Sequence, residues 1–229
     1  MRRRPVLLPV SAFAAGLVLA ITGCSSGGSR STQAEQAMYA AASQPVATSG
    51  SLPAGESWFG GPAQGLRMAV PGRWVPVATA AAARRRALHG VGLGQLKPSV
   101  LDAVVPGWGS AGSQALTNAG AQALISFSCA VSHLPAGTSA LTGLNTLAEQ
   151  EFTAINSSNA QLGQTTVDGH TAVLVYNQMS VGTANVTALQ YAIAAPAGRT
   201  CYVTLATEKQ VPYMPVFSRL RPGIRVLGA

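Results

Sequence analysis

Acidic side chains are what this chain has least of. Among 229 residues only seven are Asp or Glu, and Asp102 and Asp168 are the only aspartates. Histidine is nearly as scarce: His89, His133 and His170 are the full set, and none stands four residues from another His or an acid. That spacing excludes a metal site built on one helix face. Glu149 and Glu151 are two apart, so a helix points them to different sides and paired-carboxylate chemistry is excluded. No nucleophile elbow is present, because Ser110 has Trp108 where G-x-S-x-G requires glycine. Lysine is confined to Lys97 and Lys209, and no basic stripe with a reading motif supports nucleic-acid binding. Gly107 to Gly112 matches G-x-G-x-x-G by letters, but Pro106 precedes it. Ser132 stands where a dinucleotide loop needs its acid. No catalytic residue, metal or cofactor is expected, so the chain reads as a non-enzyme.

What the chain does have begins at its N-terminus. Arg2, Arg3 and Arg4 precede an uncharged apolar run from Val6 to Ile21. The run is interrupted by Pro9 and falls short of the ~20 apolar residues of a spanning helix. A charged start, a short apolar middle and small residues at the cut describe a secretory signal, and the general secretory route fits better than the twin-arginine route. Leu19-Ala20-Ile21-Thr22-Gly23-Cys24 closes it. Ala20-Ile21-Thr22-Gly23-Cys24 resembles the lipobox of bacterial lipoproteins, and the resemblance implies that the Cys24 thiolate takes a diacylglyceryl group and that a peptidase cuts just before it, beside small neighbours. Two acyl chains give stable attachment where one gives only marginal binding. Without Arg2, Arg3 and Arg4 the count is 12 basic against 7 acidic residues, a net charge of +5. Outside a cell that charge favours anionic lipid or envelope polymers as partners.

Ser25 to about Pro53 is rich in Ser, Gly, Ala, Gln and Thr, and reads as a flexible tether. A folded domain is expected from near Trp58. Leu66, Met68 and Val70 alternate, and Pro71-Gly72 turns the chain into Arg73-Trp74-Val75, the pattern of a hairpin. Thr79 is placed to cap a helix through Ala80 to His89, stopped by Gly90. Arg84, Arg85 and Arg86 fall in its last turns, where the helix dipole favours cations. They are the candidate contact for anionic lipid or polymer. Gly90 to Gly94 and Gly107 to Gly112 are loop material. From Ala121 to Ser132, Ile125, Phe127, Cys129 and Val131 share one face, with Ser126, Ser128 and Ser132 on the other. This predicts a half-buried strand.

Leu144, Ala148, Phe152 and Ile155 recur at helical spacing, predicting a helix over 141–157. Leu162 to Val167 then meets Asp168-Gly169, a strong hairpin signal. Thr171 to Met179 is apolar on both faces and should be covered on both sides. Val186 to Ala195 and Thr200 to Thr207 continue a meander around Pro196 to Arg199. A helix from Val211 to Leu220 and an extended end at Ile224 to Leu227 close the chain. Cys129 and Cys201 both fall on core faces, as either a disulfide or two buried thiols.

The opening Met68-Ala69-Val70-Pro71-Gly72-Arg73-Trp74, the Val167 to Ala172 hairpin, the Gln190-Tyr191 strand and Cys201-Tyr202-Val203-Thr204-Leu205 together resemble the Mog1/PsbP-like fold. They are most similar to actinobacterial LpqN-type lipoproteins. The resemblance spans Trp58 to Leu227, with Thr79 to Gly120 poorly matched. It implies an α+β fold, an antiparallel β-sheet flanked by helices in an α/β/α sandwich. It also implies an accessory or binding role at the envelope with no shared catalytic site. The expected organisation is a lipoprotein signal peptide at 1–23, a lipidated tether at 24–55 and one globular domain at 56–229. The expected function is a lipid-anchored, extracytoplasmic, non-catalytic interaction domain whose partners are the membrane, through its anchor, and an envelope protein or polymer. The alternative is a carrier for a lipid or other apolar ligand, which an enclosed apolar pocket of ~300 Å³ or more would favour. Cys24→Ala should leave an uncut or mislocalised precursor that takes no acyl label. Normal membrane retention of that variant after detergent-free washing would remove the lipoprotein reading.

Overall fold

Strand-forming alternation dominates the C-terminal half, and there the chain folds back on itself in one long antiparallel meander. The structure is a computed structural model that describes residues 52, 54–110, 112–118, 122–131, 142–143, 161–208 and 220–228. The expected signal, nearly all of the tether with Cys24, and His133 lie outside the described residues. So do Glu149, Glu151 and nearly all of the helices expected at 141–157 and 211–220. The described elements run β1 (Glu56–Gly61), β2 (Leu66–Pro71), β3 (Val75–Pro76), α1 (Ala81–His89), α2 (Pro98–Val104), β4 (Gln114–Asn118) and β5 (Ala123–Val131). They continue with β6 (Gln161–Val167), β7 (His170–Val181), β8 (Ala184–Ala195), β9 (Arg199–Thr207) and β10 (Ile224–Val226).

These strands form two antiparallel sheets, a seven-stranded one in the order β3-β4-β5-β9-β8-β7-β6 and a three-stranded one in the order β1-β2-β10. Among the described residues the fold is therefore mostly antiparallel β with few helices, and two sheets stand where one was expected. The hairpin read across Pro71-Gly72 is also corrected. β2 pairs with β1 and β10, whereas β3 pairs with β4. Pro71-Gly72 hands the chain from one sheet to the other, because buried Trp74 packs into the core between them. The β1–β2 turn lies instead at residues 62–65, where Gly65 adopts φ 71.

One face of the large sheet carries Ile125, Phe127, Leu174, Leu189, Tyr191, Val203 and Leu205, and Leu66, Met68 and Ile224 of the small sheet pack over them. On the opposite face Leu124, Ala188 and Ala206 lie under Ala87, Leu88, Val104 and Trp108. From Ala123 to Ser128, β5 is thus buried on both faces, not half-buried as its serines suggested: Ser126 and Ser128 are 2% and 4% exposed, whereas Val131, read as a core residue, is 71% exposed at the strand's end. Ser126, Thr204 and Gln190 stand opposite one another on β5, β9 and β8, a buried polar row between apolar clusters. Ser128 Oγ donates to Pro106 O at 3.0 Å.

Within the first core Arg221 is 3% exposed. Its guanidinium donates to Thr165 Oγ1 at 3.1 Å and to the Tyr191 phenol oxygen. Burial raises the Tyr191 pKa well above its ordinary 10.0, only partly opposed by Arg221, and burial likewise lowers that of Arg221. The folded phenol keeps its proton where the unfolded chain would release it. This stabilisation is complete below pH 10.0 and is lost as pH rises from there towards the folded value.

The Asp168-Gly169 turn has φ 51 and φ 77 at its two residues, the left-handed pair that a two-residue hairpin requires. Gly60 is constrained differently: at φ 87, a Cβ would meet Leu66 O at 2.5 Å and Phe127 Cε2 at 2.7 Å. Gly198, at φ 64, has open space around it. Gly198→Ala should therefore cost only the left-handed conformation, about 1–2 kcal/mol. Gly60→Ala should add about 1–3 kcal/mol of overpacking to that, as read by urea unfolding of the two variants.

Candidate functional site

Ala81 to Ala83, the arginines and Leu88 are good helix formers, and they build α1 without a side-chain cap. Its N-cap is Ala80, not Thr79, so the expected Thr79 cap is corrected. Gly90 ends the helix as expected, its N–H reaching Arg86 O at 3.0 Å. A helix rotates about 100° per residue, and that rotation breaks up the three adjacent arginines. Arg84 turns inward and donates to Trp108 O and, at 3.5 Å, to Ser113 O. Its guanidinium also lies 5.7 Å from the Trp108 ring centroid. Arg85 and Arg86 are exposed. The candidate anionic contact is thus not one patch: Arg84 braces α1 to the loop before β4, and only Arg86 reaches a concave surface.

That surface is an open cleft of about 470 Å³ between α1 and the β3-β4-β5 end of the large sheet. Ala83, Ala87 and Val91 line its helix side, and Val77 and Ala123 bring further apolar surface. Thr117, Asn118 and Gln122 supply the polar groups. Arg86 is the one charged residue among its described lining residues. Gln122 carries strain, since its φ of 48 is a left-handed conformation uncommon outside glycine. Among these only Arg86 was singled out from sequence. The Ala83, Ala87, Val91 spacing was the legible trace of the wall, and nothing in sequence joined it to Asn118 or Gln122. A second cleft of about 500 Å³, lined by Trp58, Phe59, Gln64, Thr79 and Gln114 among others, lies across Val77 from the first.

Cys129 and Cys201 stand directly opposite each other on β5 and β9. They are joined as a disulfide, with Cα atoms 4.0 Å apart and a sequence separation of 72. Cys201 is fully buried, Cys129 packs partly buried against the same core, and Gly65 presses its backbone onto the Cys129 sulfur.

Both aspartates are engaged. Asp102 Oδ1 accepts Gly107 N–H at 3.2 Å. Asp168 Oδ2 accepts Val226 N–H at 2.9 Å, while its Oδ1 lies 3.8 Å from Arg225 Nε. Gly107 to Gly112 leads from α2 towards β4, so it opens no helix on which a pyrophosphate could rest. Exposed His89 ends α1, and His170 begins β7. Among the described residues no group of three His, Cys, Asp or Glu side chains is placed to hold a metal.

The chain is similar to the solution structure of cyanobacterial PsbP (CyanoP) from Synechocystis sp. PCC 6803. The identity is 13% over 79% of this chain and 98% of that one, with a TM-score of 0.48. It is also similar to the crystal structure of a Pseudomonas aeruginosa protein of unknown function, at 20% identity over 42% of this chain and 67% of that one, with a TM-score of 0.32. No protein-family model and no curated protein matches the chain. These likenesses concern the path of the chain and say nothing of what it binds.

The separation of the arginines has a direct check. Arg84→Ala removes hydrogen bonds and a ring contact in a partly buried setting, and should destabilise the chain by about 1–2 kcal/mol. Arg85→Ala should stay within about 0.5 kcal/mol of the parent, both read from urea midpoints.

Proposed function

We propose that the chain is an extracytoplasmic lipoprotein. It is held on the cell membrane by a diacylglyceryl group on Cys24, and its Mog1/PsbP-like domain at 56–229 binds an envelope partner and does not catalyse. The observation that carries this reading is the Cys129–Cys201 disulfide. Disulfides persist in oxidising compartments and are rare in the cytosol. A bridge in the domain and a lipobox-like segment ahead of it agree on an exported chain through unrelated chemistry. The engagement of Asp102 and Asp168 with backbone N–H groups supports a binding role, because it ties up carboxylates that acid–base chemistry would need.

The alternative, a carrier for a lipid or other apolar ligand, would use the cleft beside α1. Its 470 Å³ lies within the ~300–1,000 Å³ of small-ligand sites. The cleft is open, with Pro76, Ala78, Arg86 and Gln122 exposed along it. That openness suits a binding module better than a sealed carrier.

Compartment and bond are tested together. Exported chain, unfolded without reduction, should take no alkyl group at Cys129 or Cys201. The same chain lacking residues 1–23 and kept in the cytoplasm should take one at each of them, and a third on the unlipidated Cys24. In the chain-entropy account a loop of this length is stabilised by about 4 kcal/mol, so the reduced form should show a correspondingly lower urea midpoint. Two adducts on the exported chain would contradict the proposal.

A further inference from the structure

The cleft beside α1 exists because side chains are missing from its wall. Ala83 and Ala87 stand four apart on the helix surface that lines it, where residues at that spacing fall on one face. Protein interiors fill such space to near-crystalline density, and a leucine at either position would reach into this one. The wall continues into Val91, with Val77 and Ala123 opposite. Polar groups converge on this apolar lining. Thr117 and Asn118 come from the end of β4, and Gln122 comes from the β4–β5 turn in a strained left-handed conformation at φ 48. Strain of this kind gathers where a side chain is held for binding.

Charge sets the class of ligand. Arg86 is exposed on the cleft, and the described acids Glu56, Asp102, Asp168 and Glu208 are all absent from its lining. The carbonyl end of α1 near Gly90 contributes about half a negative charge, which the full charge of Arg86 exceeds. A cationic ligand would face that guanidinium. A purely apolar one would leave Arg86, Asn118 and Gln122 without a use.

We infer that this cleft binds a single-headed anionic amphiphile, its carboxylate or phosphate head on Arg86 and the carboxamides of Asn118 and Gln122, its apolar body along Ala83, Ala87, Val91 and Val77. The inference rests on the reading of the domain as a binding module and is independent of the anchor. Amphiphile binding by a chain that fails to stay on the membrane would overturn the anchor alone.

The test is calorimetric titration of the full chain with dodecanoate and with dodecyl phosphate, both below their micelle concentrations, and with vesicles containing phosphatidylglycerol. Every variant carries the same N-terminal apolar segment, so its contribution cancels. Arg86→Gln should weaken binding about tenfold, the loss of one charge-assisted hydrogen bond. Arg85→Gln should change it less than about twofold, because exposed charges off the site are largely screened. Ala83→Leu should abolish binding. Ala78→Leu, at the exposed opposite rim, should weaken it without touching the core, should Ala83→Leu fail to fold. Binding of the monomeric amphiphiles identifies a free ligand. Binding only to vesicles, with the same dependence on variants, identifies a membrane lipid. Equal loss in the Arg85 and Arg86 variants, equal binding of dodecyltrimethylammonium, indifference to both cleft-filling leucines, or no binding in either format would overturn the inference.

Discussion

The pairing of β5 with β9 is the interaction on which the rest of this structure depends. It joins the early chain to the C-terminal meander, nine residues against nine from Ala123↔Thr207 to Val131↔Arg199. Ala123 to Ser128 of β5 and Val203 to Thr207 of β9 are buried on both faces, so this part of the pairing lies inside the molecule. Covering one face calls in Leu66, Met68 and Ile224 from the small sheet, and covering the other calls in α1, α2 and Trp108. The same register sets Cys129 against Cys201. The disulfide closes a pairing that the hydrophobic pattern already specifies, since slipping a strand by one residue would turn every core side chain to the wrong face.

Arginine does most of the polar work in a chain with so few acids, and its roles differ by position. Arg221 is buried against Tyr191 and Thr165. Arg84 serves as a brace onto Trp108. Arg67 lies 4.4 Å and Arg225 5.8 Å from the Trp58 ring centroid, and Arg225 also reaches Asp168. A planar guanidinium can bond several carbonyls and still stack on a ring, which lysine could not replace in these places. Against that background Arg86, exposed on an otherwise uncharged cleft, is the arginine whose surroundings point outward to a ligand.

The meander was legible because each of its signals was local. Asp168-Gly169 marks its turn, and alternation in Leu189, Tyr191, Ile193 and in Cys201, Val203, Leu205 marks its inner face. The Trp58 to Trp74 region misled because its partners are distant in sequence: β10 lies more than 150 residues beyond β2, and no local pattern separates a hairpin turn at Pro71-Gly72 from a crossing between sheets. Ser126 and Ser128 read as an outer face because serine is usually solvated, and only tertiary cover by α2 and its neighbours buries them. α2 and β4 are short, seven and five residues, too brief for a periodicity to show. The cleft was illegible for the same reason as the small sheet, since its walls come from segments that meet only in the folded chain.

We propose a domain that binds through a cleft walled by small side chains. The alanines that make the wall are also its reporters. The most direct measurement is methyl NMR of the chain labelled at alanine, titrated with dodecanoate. The account predicts saturable shifts at Ala83, Ala87 and Ala123, with Ala172 and Ala192, buried around β7 and β8, left in place. Shifts spread evenly over the molecule, or none at the cleft with either dodecanoate or vesicles containing phosphatidylglycerol, would contradict it.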